Sequence, residues 1–327
     1  MKVTIGLAIA SAVTLGYFIF LFLKYLRVVT NLFLGISIRT TPMALDNRSG
    51  EEVRFKSAEG PELKGFLVRN RTNAPALGMI LFCHEFGSDG KSVLQYAGFM
   101  LDAGFDLFGF DFQGHGASQC SAKYEPRHWA TNHETADVLG AIAYLRGRSG
   151  LRSERLGLFG ISRGGAAALA ASAADGHIRA VVCDSTFSTW ATLNDYMRRW
   201  VSIYAYLPLI YSNLPGWVFS LLGYSTMRLS EIRLNLRFVR LEKAPKRFTG
   251  SAMFLHGERD TYISASQARY LSGLTAGKSQ YHVFSGAKHN TARFTDGDRY
   301  SKLVREFFVE HLVSGRPAGV SLKIRGS

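Results

Sequence analysis

Cysteine is scarce in this chain, and metal-ligand spacing is missing from it. Cys83, Cys120 and Cys183 are the only cysteines in 327 residues, too few and odd in number for a disulfide framework. Cys83 and Cys183 fall in apolar runs that read as central strands, so buried free thiols are expected there. No zinc-ligand pattern, RNA-binding motif or helix-turn-helix signal is present. Acidic residues are also few: 25 Asp and Glu stand against 39 Lys and Arg, for a formal charge of +14. The cations are scattered, with denser patches from Arg233 to Arg247 and from Arg316 to Arg325. Without a recognition motif this excess does not point to nucleic acid. It implies a soluble cationic surface or a basic face opposite anionic lipid. No internal repeat is visible, which excludes a repeat architecture.

Charge is absent altogether from Val3 to Leu23. As a helix rising 1.5 Å per residue this run spans roughly 30 Å, one hydrocarbon core. Ala8-Ile9-Ala10 and Ala10-Ser11-Ala12 mimic signal-cleavage sites, but they lie inside the apolar run. An uncleaved anchor over residues 1–27 is therefore favoured over secretion after cleavage. Lys24, Arg27 and Arg39 follow the run and only Lys2 precedes it, which leans toward a cytoplasmic location for the rest of the chain. Val28 to Ile38 is mostly apolar, and residues 28–48 are expected to lie along the interface.

With 47% hydrophobic residues, the remainder can form one sizeable α/β domain, residues 49–313, before a basic tail, residues 314–327. Strands are expected at Val53–Ser57, Glu62–Val68, Met79–Cys83, Leu107–Asp111, Leu156–Phe159, Ala180–Cys183, Ala252–Leu255 and Tyr281–Phe284. Helices are expected at Ser92–Ala103, Glu134–Arg146, Ala166–Ala174, Ala265–Leu274 and Tyr300–Leu312. Such alternation implies a parallel, doubly wound sheet with helices on both faces. Residues 185–250 interrupt it. They are rich in Trp190, Tyr196, Trp200, Tyr204, Tyr206, Tyr211, Trp217, Phe219 and Tyr224. This segment is expected to be a cap supplying apolar substrate contacts, or its rings build a small core of their own.

Chemistry concentrates at Gly160-Ile161-Ser162-Arg163-Gly164. The apolar run before it and the alanine-rich helix after it make a strand, a sharp turn and a helix. A serine lifted onto such a turn needs neighbours without side chains, hence Gly160 and Gly164. The helix N-terminus would direct unpaired N–H groups and a positive dipole end toward Ser162. A serine nucleophile needs a base within hydrogen-bond reach and an acid to fix the base's tautomer. In an open α/β sheet the partners should follow strands. Asp260, in Leu255-His256-Gly257-Glu258-Arg259-Asp260, and His289, in Phe284-Ser285-Gly286-Ala287-Lys288-His289-Asn290, both do, with Asp184 as the rival acid. Phe82-Cys83-His84-Glu85-Phe86-Gly87-Ser88 follows its strand as an oxyanion loop, with the N–H groups of Phe86 and Arg163 as donors. His84 and His115 are expected to brace loops, Asp111 to anchor its glycine turn, and His282 to be structural. Glu85 either holds the oxyanion loop or contacts substrate.

From about Val53 to Leu312 the chain resembles the α/β-hydrolase superfamily, in its branch of esterases, lipases, acyl-protein thioesterases and S33-type aminopeptidases. The resemblance rests on His84-Glu85-Phe86-Gly87, Asp111 with Gly114 and Gly116, the Ser162 elbow, Gly257 with Asp260, and Gly286 with His289-Asn290. His84-Glu85 departs from the His-Gly of many relatives. The anchor ahead of this fold is similar to membrane-anchored hydrolase-domain proteins. The resemblance implies a serine hydrolase that cleaves esters or thioesters through an acyl-enzyme, needs no metal or organic cofactor, and acts on apolar or acyl substrates. An aminopeptidase, an acyltransferase and a catalytically idle binding protein of the same fold are the alternatives.

Overall fold

Gly78–Cys83 is apolar throughout and is buried along its whole length between two parallel neighbours. A strand in the middle of a parallel sheet must be apolar on both faces. Its side chains alternate: Met79, Leu81 and Cys83 enter one core, Ile80 and Phe82 the other. The computed structural model describes residues 2–35, 50–72, 74–122, 124–204 and 214–314. The chain divides into two units, Met1–Ile38 with Thr189–Phe238, and Arg39–Ser188 with Val239–Ser327.

The strands are β1 (Glu51–Lys56), β2 (Glu62–Val68), β3 (Gly78–Cys83), β4 (Phe105–Phe110), β5 (Leu156–Ile161), β6 (Ala180–Asp184), β7 (Ser251–Gly257) and β8 (Ser279–Phe284). The helices, in chain order, are α1 (Lys2–Gly35), α2 (Val93–Ala97), α3 (Phe99–Asp102), α4 (Asn132–Gly147), α5 (Arg163–Asp175), α6 (Thr189–Tyr204), α7 (Gly216–Leu234), α8 (Ser266–Leu274), α9 (Ala292–Thr295) and α10 (Gly297–Phe308).

All the strands lie in the larger unit and form one sheet, ordered β1-β2-β4-β3-β5-β6-β7-β8. β2 runs antiparallel to β1 and β4, and the other pairs are parallel. Helices α4, α5 and α8 pack on one face and α2, α3, α9 and α10 on the other. This is the mostly parallel, doubly wound sheet that the alternation of elements implies. The helix expected over Ser92–Ala103 is split at Gly98, where the chain tightens between α2 and α3.

In the smaller unit α1 continues unbroken through Val28–Gly35. No glycine or proline stands between Val28 and Leu34 to end the helix, and its apolar residues dock instead of lying free. Val29, Thr30 and Phe33 are buried, and the Phe33 ring meets Phe238 edge-on at 5.4 Å. The rings of the insertion divide between two roles. Phe219 is buried with Leu222 and Met227, whereas Trp217 and Tyr224 face solvent. The flanks of the insertion, Asp184 to Ser188 and Val239 onward, belong to the larger unit. Residues 36–48, Tyr206, Tyr211 and the basic tail from residue 315 lie outside the described residues.

Candidate active site

β5 ends at Ile161 and α5 begins at Arg163, so one residue makes the turn between them. That residue, Ser162, has φ 53° and ψ −118°. A positive φ on a non-glycine residue costs on the order of 1–3 kcal/mol and survives only where its surroundings over-determine it. Here the Ser162 N–H donates to Asp184 O at 2.7 Å, and Ser162 O accepts from Gly165 N at 3.1 Å. The glycines are obligatory by distance. A Cβ on Gly160 would stand 2.4 Å from Gly165 Cα, and one on Gly164 would stand 2.2 Å from Cys83 O.

Three candidate residues from three strand ends converge. Ser162 Oγ lies 3.0 Å from His289 Nε2, and His289 Nδ1 lies 2.6 Å from Asp260 Oδ2. A carboxylate only accepts, so Nδ1 carries the proton and Nε2 is left to accept from the serine hydroxyl. Asp260 Oδ1 accepts the N–H groups of Tyr262 and Ile263, each at 2.9 Å. Burial pulls the Asp260 carboxyl upward, but hydrogen bonds from His256 and His289 and the charge of His289 outweigh it. The group is held below the ordinary carboxylate range.

The rival acid is engaged elsewhere. Asp184 accepts from Tyr300 Oη at 2.7 Å and from Ser185 Oγ at 3.0 Å, and burial raises its carboxyl. Its neighbour Ser185 (φ 51°) accepts the N–H of Asn290 (φ 60°) at 3.2 Å, which ties the histidine loop to the end of β6.

His256 is the residue that sequence reasoning passed over. Its Nε2 lies 3.3 Å from Asp260 Oδ2 and 3.0 Å from Ile263 O. Both neighbours are acceptors, so this nitrogen bears a proton. His256 stands four residues before Asp260 at the end of an apolar strand, and that spacing is the one signal that could have found it.

On the other side of the serine, His84 braces the expected oxyanion loop. Its Nδ1 donates to Glu85 O at 2.6 Å, its Nε2 accepts from Phe112 N at 3.1 Å, and burial drives its pKa down. The Arg163 guanidinium is fully buried and lies over the rings of Phe86 (5.1 Å) and Phe112 (5.4 Å). It donates to Arg127 O at 2.9 Å and faces Glu134 Oε1 at 3.4 Å and His115 Nε2 at 3.3 Å. The two residues expected to supply oxyanion donors, Phe86 and Arg163, are thus packed together. Asp111 binds the N–H groups of Gly90 and Ala117, each at 2.8 Å, which fixes the glycine turn. His282 is half-buried on β8, beside Gln280.

An arrangement of this kind, a serine at a strained strand-to-helix turn with histidine and aspartate from later strand ends, on this strand order, is that of the α/β-hydrolase fold. A family model described as serine aminopeptidase, S33, matches residues 74–220, which include Ser162 and end before Asp260 and His289. The uncharacterized protein YfhR of Escherichia coli O157:H7 is 31% identical over 156 residues, 46% of this chain and 52% of that protein. The thiohydrolase aneE of Aspergillus aculeatus is 29% identical over 143 residues, 43% of each. The chain thus spans about half the length of the curated relatives it matches. The solved structure of the Pyrococcus furiosus esterase Pf2001 superposes with a TM-score of 0.59 and 18% identity, over 84% of this chain and 100% of that one, a likeness of fold. The chain has the α/β-hydrolase fold, and residues 74–220 within it match the S33 family model.

Proposed function

We propose that the protein is a membrane-anchored serine hydrolase that cleaves carboxylic esters or thioesters of apolar acyl groups. The observation that carries this reading is the continuous Ser162–His289–Asp260 hydrogen-bond chain at 3.0 and 2.6 Å. Ser162 attacks the acyl carbon while His289 Nε2 takes its proton, and His289 then returns that proton to the leaving alcohol or thiol. Water repeats the cycle on the acyl-enzyme. Asp260 holds the imidazole tautomer and stabilises the imidazolium. The N–H groups of Phe86 and Arg163 receive the oxyanion, with the Arg163 side chain fastening the Phe86 ring beside it. Thioesters are included because a 29% identical relative carries the name thiohydrolase. The anchor is α1, of which Thr4–Gly35 is long and apolar enough to cross a membrane.

The test is a chain-length series of acyl esters and the matching thioesters, with wild type and Ser162→Ala compared in detergent micelles. Turnover that Ser162→Ala abolishes in a protein of unchanged fold supports the reading, and comparable turnover by the variant overturns it. The family model's name supports an aminopeptidase as a second reading. Turnover of aminoacyl anilides in preference to esters would select it.

A further inference from the structure

We propose that the smaller, helical unit docks on the surface of an anionic lipid bilayer through the exposed face of α7, beside the point where α1 leaves the membrane. This rests on reading α1 as an anchor.

Two features of α1 fix where that point lies. Every residue from Thr4 to Phe20 is exposed, whereas Leu21, Phe22, Tyr25, Leu26, Val29, Thr30 and Phe33 turn away from solvent at helical spacing. Docking therefore starts at the end of the charge-free run. Among the helices of its unit α1 packs chiefly on α7. Phe33 meets Phe238, just past the C-terminus of α7. From Lys24 to Gly35 the helix rises roughly 17 Å, which keeps α7 close to the hydrocarbon edge.

The outer face of α7 suits that level. Trp217, Leu221, Tyr224 and Ile232 are 66%, 47%, 53% and 72% exposed. At 100° per residue they fall within an arc of about 80°, opposite the buried Phe219, Leu222, Thr226 and Ser230. Trp and Tyr are the side chains that settle at the headgroup level, and both stand in the first half of α7.

Charge selects the occupant. Beyond the apolar run this unit carries Lys24, Arg27, Arg198, Arg199, Arg228, Arg233 and Arg237 against Asp195 and Glu231. Glu231 is buried and bonded to Arg228 at 2.7 Å. Arg198 stands at the α7 N-terminus, its guanidinium 5.0 Å over the Phe219 ring. A second copy would bring the same excess of positive charge to the contact, whereas anionic headgroups neutralise it.

The test uses the full chain in vesicles, with Cys120→Ser removing the exposed thiol. A fluorescent label is placed at Ser220→Cys on the outer side of α7 or at Leu15→Cys in the anchor. Lipids carrying nitroxide quenchers at shallow or deep positions then report depth. The expected result is deep quenching at position 15 and shallow quenching at position 220. The latter should grow several-fold when phosphatidylserine is added to phosphatidylcholine, and should fall at high salt or when Trp217→Ser and Leu221→Ser are combined. Deep quenching at 15 with none at 220 would overturn the docking and leave the anchor standing. No quenching at either site would overturn both. A label at 220 shielded from water but not quenched by lipid, in a protein of doubled mass, would assign the face to a second copy and overturn the proposal.

Discussion

Two histidines converge on the carboxylate of Asp260, and only one of them reaches Ser162. His256 Nε2 donates between Ile263 O and Asp260 Oδ2, while its Nδ1 is buried without a partner. As a positioning residue, it limits the ways Asp260 can turn beneath His289. Replacing it by phenylalanine keeps the ring and drops the donor. His256→Phe is expected to lower kcat about tenfold, roughly 1.4 kcal/mol of barrier, with KM little changed and with partial rescue by His256→Gln. A parallel change in KM alone would contradict this role. Asp260→Asn should cost about 10⁴-fold in kcat, because the wrong imidazole tautomer is then held. Asp184→Asn should lower the melting temperature with a far smaller effect on kcat.

Glu85 adds a pH dependence of stability. Burial, opposed in part by hydrogen bonds that include Tyr96 Oη, raises its carboxyl from an ordinary 4.5 to about 7, and its Oε2 has no partner. The folded protein therefore keeps a proton that the unfolded chain releases. Stability falls as pH rises from about 4.5 to 7 and levels off above. Asp137, also raised by burial to about 7, adds to the same slope. Melting curves of Glu85→Gln should show a shallower decline over this window, and an unchanged decline would place the proton elsewhere.

At the scale of elements, the Ser162 turn depends on the close approach of α5 to β3 and β5. Gly164→Ala would drive a Cβ against Cys83 O and His84 O, 2.2 and 2.4 Å away, both backbone. It is expected to reduce the melting temperature sharply or to prevent folding. Gly147→Ala at the end of α4 meets nothing within 4 Å and should be neutral or stabilising by up to about 1 kcal/mol. The start of α4 serves two ends at once. Thr131 and Glu134 form a capping box, and the same Glu134 faces the buried Arg163, so the cap of one helix is joined to the first residue of another. The sheet, its helices and the loops bearing Ser162, Asp260 and His289 were legible because apolar periodicity and strand-end loops are local signals. His256 was not, because its role depends on where a carboxylate four residues later turns back. Nor was the split of Ser92–Ala103 at Gly98, since a single glycine inside a helical pattern is often tolerated.

At the scale of the molecule, the sequence of α1 reads as a span and then an interfacial stretch, and within that stretch Val29, Thr30 and Phe33 are buried. The partner that decides this, α7 with Phe238, stands some two hundred residues later and leaves no local mark. Truncation should separate the two roles. Removal of residues 1–20 is expected to abolish insertion, leaving only salt-sensitive binding to anionic vesicles, without lowering the melting temperature. Removal through Gly35 should lower it by exposing the surface that Val29 and Phe33 cover. Equal stability of the two truncations, read by calorimetry, would contradict the docking of α1.

The most direct test of the central claim is labelling of the full-length protein with a fluorophosphonate probe, followed by peptide mapping of the modified residue. The Ser162–His289–Asp260 chain predicts one covalent adduct, at Ser162, that is lost in Ser162→Ala and strongly slowed in His289→Ala. A folded wild-type protein that takes no label, or takes it at another serine, would contradict the assignment.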